Sequence, residues 1–264
     1  MHPLLNIATQ AARQASRHIL RGFDQPDKIE VTEKTANNFV TNIDIEAERT
    51  IIEQIQLAYP SHSILSKEHG SIDGDEHCWI INPIDGTTNF IRGIPHFAVS
   101  IAVKKNDNLM VSLIYDPIRN ELFTASQGAG SHLNNRRLRV SGTAKLKQSL
   151  IGTGCNYNSS EAGQLDPYLG TFKDMIKLTS GIRRSGSLAL DLAYVASGRL
   201  DGYWQDSLHE RDIAAGSLMV LESGGMLCDF NNEKDYCTNG SVIAANSKLF
   251  KSLSTNIIDS LHEL

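Results

Sequence analysis

The chain has 264 residues, 41% of them hydrophobic and 21% charged, with a formal net charge of −5. That length allows one large domain or two fused subdomains around a substantial core. The acidic balance argues against a broadly basic nucleic-acid-binding surface.

Basic residues gather only locally, at Arg136, Arg137 and Arg139 and at Arg183 and Arg184. Solvated loop charge or an interface ion pair accounts for both groups better than phosphate binding does. Cys78, Cys155, Cys228 and Cys237 show no CxxC spacing, so reduced structural thiols and no zinc site are expected. The opening MHPLLNIATQAARQ lacks the basic start and long apolar core of a signal peptide. No run approaches the roughly 18 apolar residues of a membrane span. A soluble cytoplasmic protein is expected.

In chain order, residues 3–21 predict an amphipathic helix, with Gly22 as its stop. A second helix spans Ile43 to Ala58, ended by Pro60. Ser63–Ser66 and Cys78–Ile81 are too short and β-rich for helices and predict strands. From Phe97 to Val140 the runs FAVSIAVKK, LMVSLIYD, ELFTAS and RLRVS, separated by Asn- and Gly-rich turns, predict an antiparallel meander. The second half alternates: strand Ser149–Thr153, helix Pro167–Leu178, strand Gly181–Arg184, helix Leu188–Ser197 and strand Asp201–Trp204. Helix Ile213–Glu222, strands Met226–Asp229 and Val242–Ala245 and a last helix capped by Ser247 follow. The pattern predicts a layered αβαβα sandwich of α+β character, an antiparallel N-terminal sheet joined to a mixed α/β half. The expected division is residues 1–145 and 146–264, with the site between them.

The stretch carrying most chemistry is WIINPIDGTTNF, Trp79 to Phe90. Here a buried strand ends in Asn82-Pro83-Ile84-Asp85-Gly86-Thr87-Thr88, with Pro83 fixing the backbone, Gly86 permitting a tight turn and the threonines able to cap a helix. An acid, hydroxyls and free N–H groups at one point suit a metal and a phosphate together. The alternative is a polar turn that only caps a helix.

The stretch resembles the signature D-P-(I/L)-D-G-T-(T/S)-N-(F/Y) of the inositol monophosphatase family. Its companions stand in order: Asn38-Phe39-Val40-Thr41-Asn42-Ile43-Asp44, Ile64 to Glu68, Arg183 to Ala193, and Arg211 to Gly216. The resemblance spans essentially the whole chain. It is strongest toward the bacterial SuhB-type branch, through MHPLLNIA, PHFAVSIAV, YDPIRNELFTA and ALDLAYVASGRLDG.

The resemblance implies Mg²⁺-dependent hydrolysis of inositol-1-phosphate or another polyol phosphate, with carboxylates holding the ions. It assigns Asp85 as bridging carboxylate, the Ile84 carbonyl as backbone ligand, and Asp212 to a second metal and a substrate hydroxyl. Thr87 beside Asp44 would orient the attacking water. Gly86 and Thr87 would donate N–H groups to phosphate, Gly186 and Ser187 would line the substrate pocket, and Arg184 would lie nearby or at a homodimer contact.

Five positions depart from the pattern. Lys67 stands for a metal-binding glutamate, with Glu68 beside it; Asn82 and Asn38 stand for aspartates, Gln205 for a glutamate and Arg211 for a tryptophan. An ammonium cannot ligate Mg²⁺, and an amide lacks the charge that holds a weakly bound ion. Glu68 could compensate, and Lys67 could sit in the metal's place, favour a bound anion or point to solvent. The expectation is a degenerate metal site with weak or lost turnover and a SuhB-like role with transcription antitermination proteins in rRNA synthesis. The alternative is a fully active Mg²⁺-dependent phosphatase.

Overall fold

The computed structural model describes residues 2–35, 38–155 and 165–262. Helix α1 (Pro3–Phe23) opens with His2, whose Nδ1 accepts the Leu4 N–H, and with Pro at its first position. Its buried face is small: Ala8, Ala11, Ala12 and Ala15 let α2 (Asn42–Ala58) pack close. Gly22 lies inside α1, not beyond it. A Cβ there would stand 2.9 Å from Ile43 Cγ1, so the glycine serves close helix approach and not termination. Between the helices runs a hairpin of β1 (Val31–Thr35) and β2 (Asn38–Thr41), which hydropathy does not signal because most of its first strand is exposed.

The first sheet has eight strands in the order β10-β9-β8-β7-β6-β5-β3-β4. They are β3 (Ser63–Ser66), β4 (Ser71–Ile72), β5 (His77–Asp85), β6 (Ala98–Lys105), β7 (Asn108–Asp116), β8 (Glu121–Ser126), β9 (Gly130–Leu133) and β10 (Arg136–Arg137). All neighbours are antiparallel except β3 with β5. Alternation buries both faces. Trp79, Ile81, Val99, Ile101, Val103 and Leu113 pack on α1 and α2, whereas Ile80, Ala98, Ala102, Ile114 and Phe123 face the other way. The strand expected over RLRVS ends at Arg137. Beyond it the Leu138 N–H goes to Ser131 O and the Val140 N–H to Ser223 O, which draws the chain off the sheet.

The opposite face of that sheet packs on α5 (Leu188–Ala196) and α6 (Glu210–Glu222), which also cover one face of a second sheet. This sheet has five strands in the order β12-β11-β13-β15-β14. It comprises β11 (Leu150–Thr153), β12 (Gly181–Arg183), β13 (Gly202–Gln205), β14 (Gly225–Cys228) and β15 (Val242–Asn246), and it is mixed, β11 being parallel to both of its neighbours. Trp204, Ile151 and Ile243 on its far side meet α4 (Leu165–Leu178) and α8 (Phe250–His262). Helix pair, sheet, helix pair, sheet, helix pair is the αβαβα sandwich that the pattern predicts.

Two short helices escape the hydropathy reading: α3 (Thr87–Ile91) and α7 (Tyr236–Asn239). Asn246, not Ser247, leads the turn before α8, its Oδ1 accepting from the Lys248 and Leu249 N–H groups. Among the described residues no helix is long and apolar enough to cross a membrane.

Candidate active site

Strand β5 runs further than its apolar core suggests, because Pro83 is accommodated in a bulge. Asn82 pairs with Ser100 and Asp85 with Ala98, so two β5 residues face one on β6. The bulge turns the Ile84 carbonyl and the Asp85 carboxylate out of the ladder at the start of α3. Gly86 makes the turn in the left-handed region, at φ +96°, and is the N-cap of α3; Thr87 and Thr88 are its first residues, not its caps. A Cβ on Gly86 would stand 3.0 Å from His96 O and 3.2 Å from Gly186 O.

Helix α2 supplies the opposite wall. Thr41 caps it by accepting the Asp44 N–H, and the Asp44 carboxylate returns the bond to the Thr41 N–H and hydroxyl at 2.9 and 2.6 Å. The other oxygen of Asp44 lies 3.3 Å from Thr87 Oγ1, which is also 3.1 Å from Ile84 O. Burial raises the Asp44 pKa above its ordinary range; the Lys67 charge and the Thr41 hydrogen bonds oppose the shift.

Lys67 does not point to solvent. Its Nζ donates to Ile84 O at 3.4 Å and to Thr87 Oγ1 at 3.2 Å, so the ammonium lies on two of the oxygens that the sequence suggested for a metal and its water. The parallel register of β3 and β5 explains the reach: Ser66 pairs with Ile81, and one further step sets Lys67 alongside Asn82.

Asn82 is buried. Its Nδ2 donates to Asp85 Oδ1 at 3.3 Å, while among the described residues its Oδ1 has no donor. Glu68 does not compensate. Its carboxylate pairs with Lys34 of the β1–β2 hairpin, and its second oxygen is buried without a partner.

Glu48 holds the turn after β3 in place by accepting the Glu68 and His69 N–H groups at 2.9 and 2.7 Å. Sequence reasoning passed over this residue. The signal was its position four after Asp44, a second fully buried acid on the same face of α2.

Asp85 faces α5 as well. Its Oδ2 accepts from Ser187 Oγ at 2.5 Å and from the Ala189 N–H at 2.9 Å. Burial nevertheless pushes its pKa up to about 6, the two hydrogen bonds opposing, the Asp212 charge adding and the Lys67 charge opposing. Ser187 therefore serves Asp85 while capping α5.

Asp212 sits in the first turn of α6, which begins at Glu210, a turn before the apolar run. Its carboxylate accepts the His209 N–H at 3.0 Å. Gly186, at φ +87°, lies against the Asn89 side chain, whose Nδ2 bridges His96 O and Ser185 O.

Two predicted residues hydrogen-bond outside this group, although Tyr203 beside them is within electrostatic reach of both Asp85 and Arg184. Arg184 is exposed and donates to Cys155 O at 3.2 Å. Gln205 is buried at the end of β13, its Oε1 accepting from the Tyr203 hydroxyl. Arg211 is partly buried, and its Nε has no acceptor among the described residues. The side chain of Asn38 lies outside the described part.

These contacts decide whether a magnesium ion fits. Mg²⁺ demands hard oxygens in near-octahedral array. At the first position an ammonium engages the Ile84 carbonyl and Thr87 hydroxyl, a neutral amide stands next to it, and the neighbouring glutamate is paired elsewhere. That position does not fit the ion. Asp85 and Asp212 remain as the nearby pair of carboxylates.

A five-layer αβαβα fold with acids, a threonine hydroxyl and an exposed carbonyl at the bulged end of a buried strand defines a class, that of phosphate-monoester hydrolase folds. The chain belongs to the inositol monophosphatase family, whose model matches residues 1–263; members are generally Mg²⁺-dependent. It is 47% identical over 261 residues to the Nus factor SuhB of Pseudomonas aeruginosa, covering 97% of this chain and 96% of that protein. Identity to the Nus factor SuhB of Escherichia coli is 42% over 265 residues, covering 100% and 98%. Among solved structures, the extragenic suppressor protein suhB of Bartonella henselae superposes with a TM-score of 0.93 at 38% identity, covering 97% of this chain and 98% of that one. The Thermotoga maritima IMPase superposes with a TM-score of 0.90 at 30% identity, covering 99% of each.

Proposed function

We propose that this chain is a SuhB-like Nus factor that keeps the phosphatase scaffold but hydrolyses inositol-1-phosphate or other polyol phosphates weakly or not at all. It would serve transcription antitermination and rRNA synthesis through surface recognition in the cytoplasm. The observation that carries the reading is the Lys67 ammonium resting on Ile84 O and Thr87 Oγ1. Identity to Nus factors over the whole chain supports the recognition role. We assign the exposed Arg183 and Arg184, at edge strand β12, to contact with a second copy in a homodimer.

The test is Mg²⁺ titration by calorimetry together with phosphate release from inositol-1-phosphate. The wild-type chain should bind weakly and turn over little. The double variant Lys67→Glu with Asn82→Asp should regain Mg²⁺ affinity. Turnover by the wild type at the level of an active family member would overturn the proposal in favour of a working phosphatase.

A further inference from the structure

Lys67 does more than spoil a metal site. Its Nζ reaches Ile84 O and Thr87 Oγ1, and Thr87 in turn lies 3.3 Å from Asp44, so a cation, a hydroxyl and a buried carboxylate form one chain of donors and acceptors. Thr87 has one proton and two lone pairs. Accepting from Lys67 leaves its one proton to be shared between Ile84 O at 3.1 Å and the Asp44 oxygen at 3.3 Å. The other Asp44 oxygen is already held by Thr41. The two ends of the chain come from the turn after β3 and from α2, which are also tied by the Glu48 carboxylate accepting the Glu68 and His69 N–H groups.

The local charge explains why a cation is needed. Asp44 is fully buried, Asp85 is 7% exposed, and Asp212 lies within electrostatic reach of Asp85. Asp85 and Asp212 repel one another, Glu68 acts likewise on Asp44, and the Lys67 charge opposes the shift at both Asp44 and Asp85. Lys34 lies close too, but its charge is spent on Glu68. Lys67 is the cation whose contacts lie inside the group.

We infer that the Lys67 ammonium is a built-in cation which holds the Asp44–Thr87–Ile84 array together, so that the native fold at this position is independent of divalent metal. The inference rests on the degenerate site proposed above, but its readout is stability and not turnover.

The experiment measures melting temperature in EDTA and in millimolar Mg²⁺ for wild type, Lys67→Gln and Lys67→Glu. In EDTA both variants should melt several degrees below wild type. Mg²⁺ should raise the melting temperature of Lys67→Glu more than that of the wild type. The inference is overturned if Mg²⁺ stabilises the wild type as much as Lys67→Glu, or if Lys67→Gln melts with the wild type in EDTA. Should Lys67→Glu fail to fold, the Lys67→Gln comparison decides alone.

Phosphate release measured on the same wild-type samples separates the two ideas. No turnover with a melting temperature that Mg²⁺ raises as far as in Lys67→Glu refutes the built-in cation and leaves the proposed function standing. Full turnover with a metal-insensitive melting temperature does the reverse.

Discussion

Asp191 offers a test of the electrostatics of the layer between the two sheets. It lies on α5, 2% exposed, and its Oδ1 accepts from Ser185 Oγ at 2.6 Å. Burial pushes its pKa from 3.8 up to about 7, the serine bond opposing and the Asp85 charge adding. The sign follows from linkage. The folded state holds the proton more tightly than the unfolded chain, so stability is undiminished below the ordinary carboxylate value and declines as pH rises toward 7. The full loss is about 4 kcal/mol, of which about 3 falls between roughly pH 5 and pH 8. Asp191→Asn removes the ionisation but keeps an acceptor for Ser185. Urea unfolding of both proteins at those two pH values should show a wild-type decline that the variant lacks, with the variant the more stable at the higher pH. Parallel declines would refute the assignment of the penalty to Asp191.

Two further outcomes follow from geometry alone or with a titration. His62 Nδ1 accepts the indole N–H of fully buried Trp79 at 2.9 Å, and its ring stacks between Tyr59 and His77, each at 4.5 Å. Burial lowers its pKa, the Asp75 charge opposing and His77 adding, so acid favours the unfolded chain. Stability should fall below about pH 6.5 in the wild type and less steeply in His62→Gln, which keeps an acceptor for the indole; equal slopes in denaturant titrations would contradict this. Gly86→Ala should cost at least about 1–2 kcal/mol, read as a lowered melting temperature, since the residue is left-handed and crowded by His96 O.

The same indole bond settles the meaning of the one group of His, Cys, Asp and Glu among the described residues whose ligand atoms could hold an ion. His62, Asp75 and His77 bring those atoms within 4.8 Å. With Nδ1 accepting from Trp79, the neutral imidazole carries its proton on Nε2, which removes that lone pair from service. The stack is a packing feature of the sheet edge beside β5.

Much of this architecture was legible in the chain because burial follows period. The alternation of β6 and β7 and the apolar stripe of α1 name their own faces. Elements without such contrast were not legible. The β1–β2 hairpin has an exposed first strand, and α3 is five residues long and started by a left-handed glycine, so neither leaves a hydropathy signal. The first turn of α6 is polar because it serves Asp212 and not the core. Within the site, the Asn82–Asn89 stretch picked out Asp85 and Thr87 and the family resemblance picked out Asp44, and the structure sets Thr87 Oγ1 3.3 Å from Asp44. The direction of Lys67 could not be read, since it depends on which strand lies beside β3 and in what register.

That register gives the two substitutions a common cause. Lys67 and Asn82 are remote in sequence but adjacent across parallel strands, one step past the Ser66–Ile81 pair. A lysine beside a retained aspartate would have formed a tight buried ion pair at residue 82, pulling the ammonium away from Ile84 O and Thr87 Oγ1. The neutral amide instead leaves the charge free to engage the carbonyl and hydroxyl, and Asn82 spends its own Nδ2 on Asp85. Glu68, the acid next to Lys67 in the chain, is held by Lys34. Lys67 and Asn82 are thus consistent with the proposed arrangement, in which a side chain would do electrostatic work that an ion does elsewhere in the family. On that proposal, removal of the lysine charge, and not of magnesium, is the perturbation to which the fold should respond, since the Lys67 ammonium is what joins Ile84 O to Thr87 Oγ1.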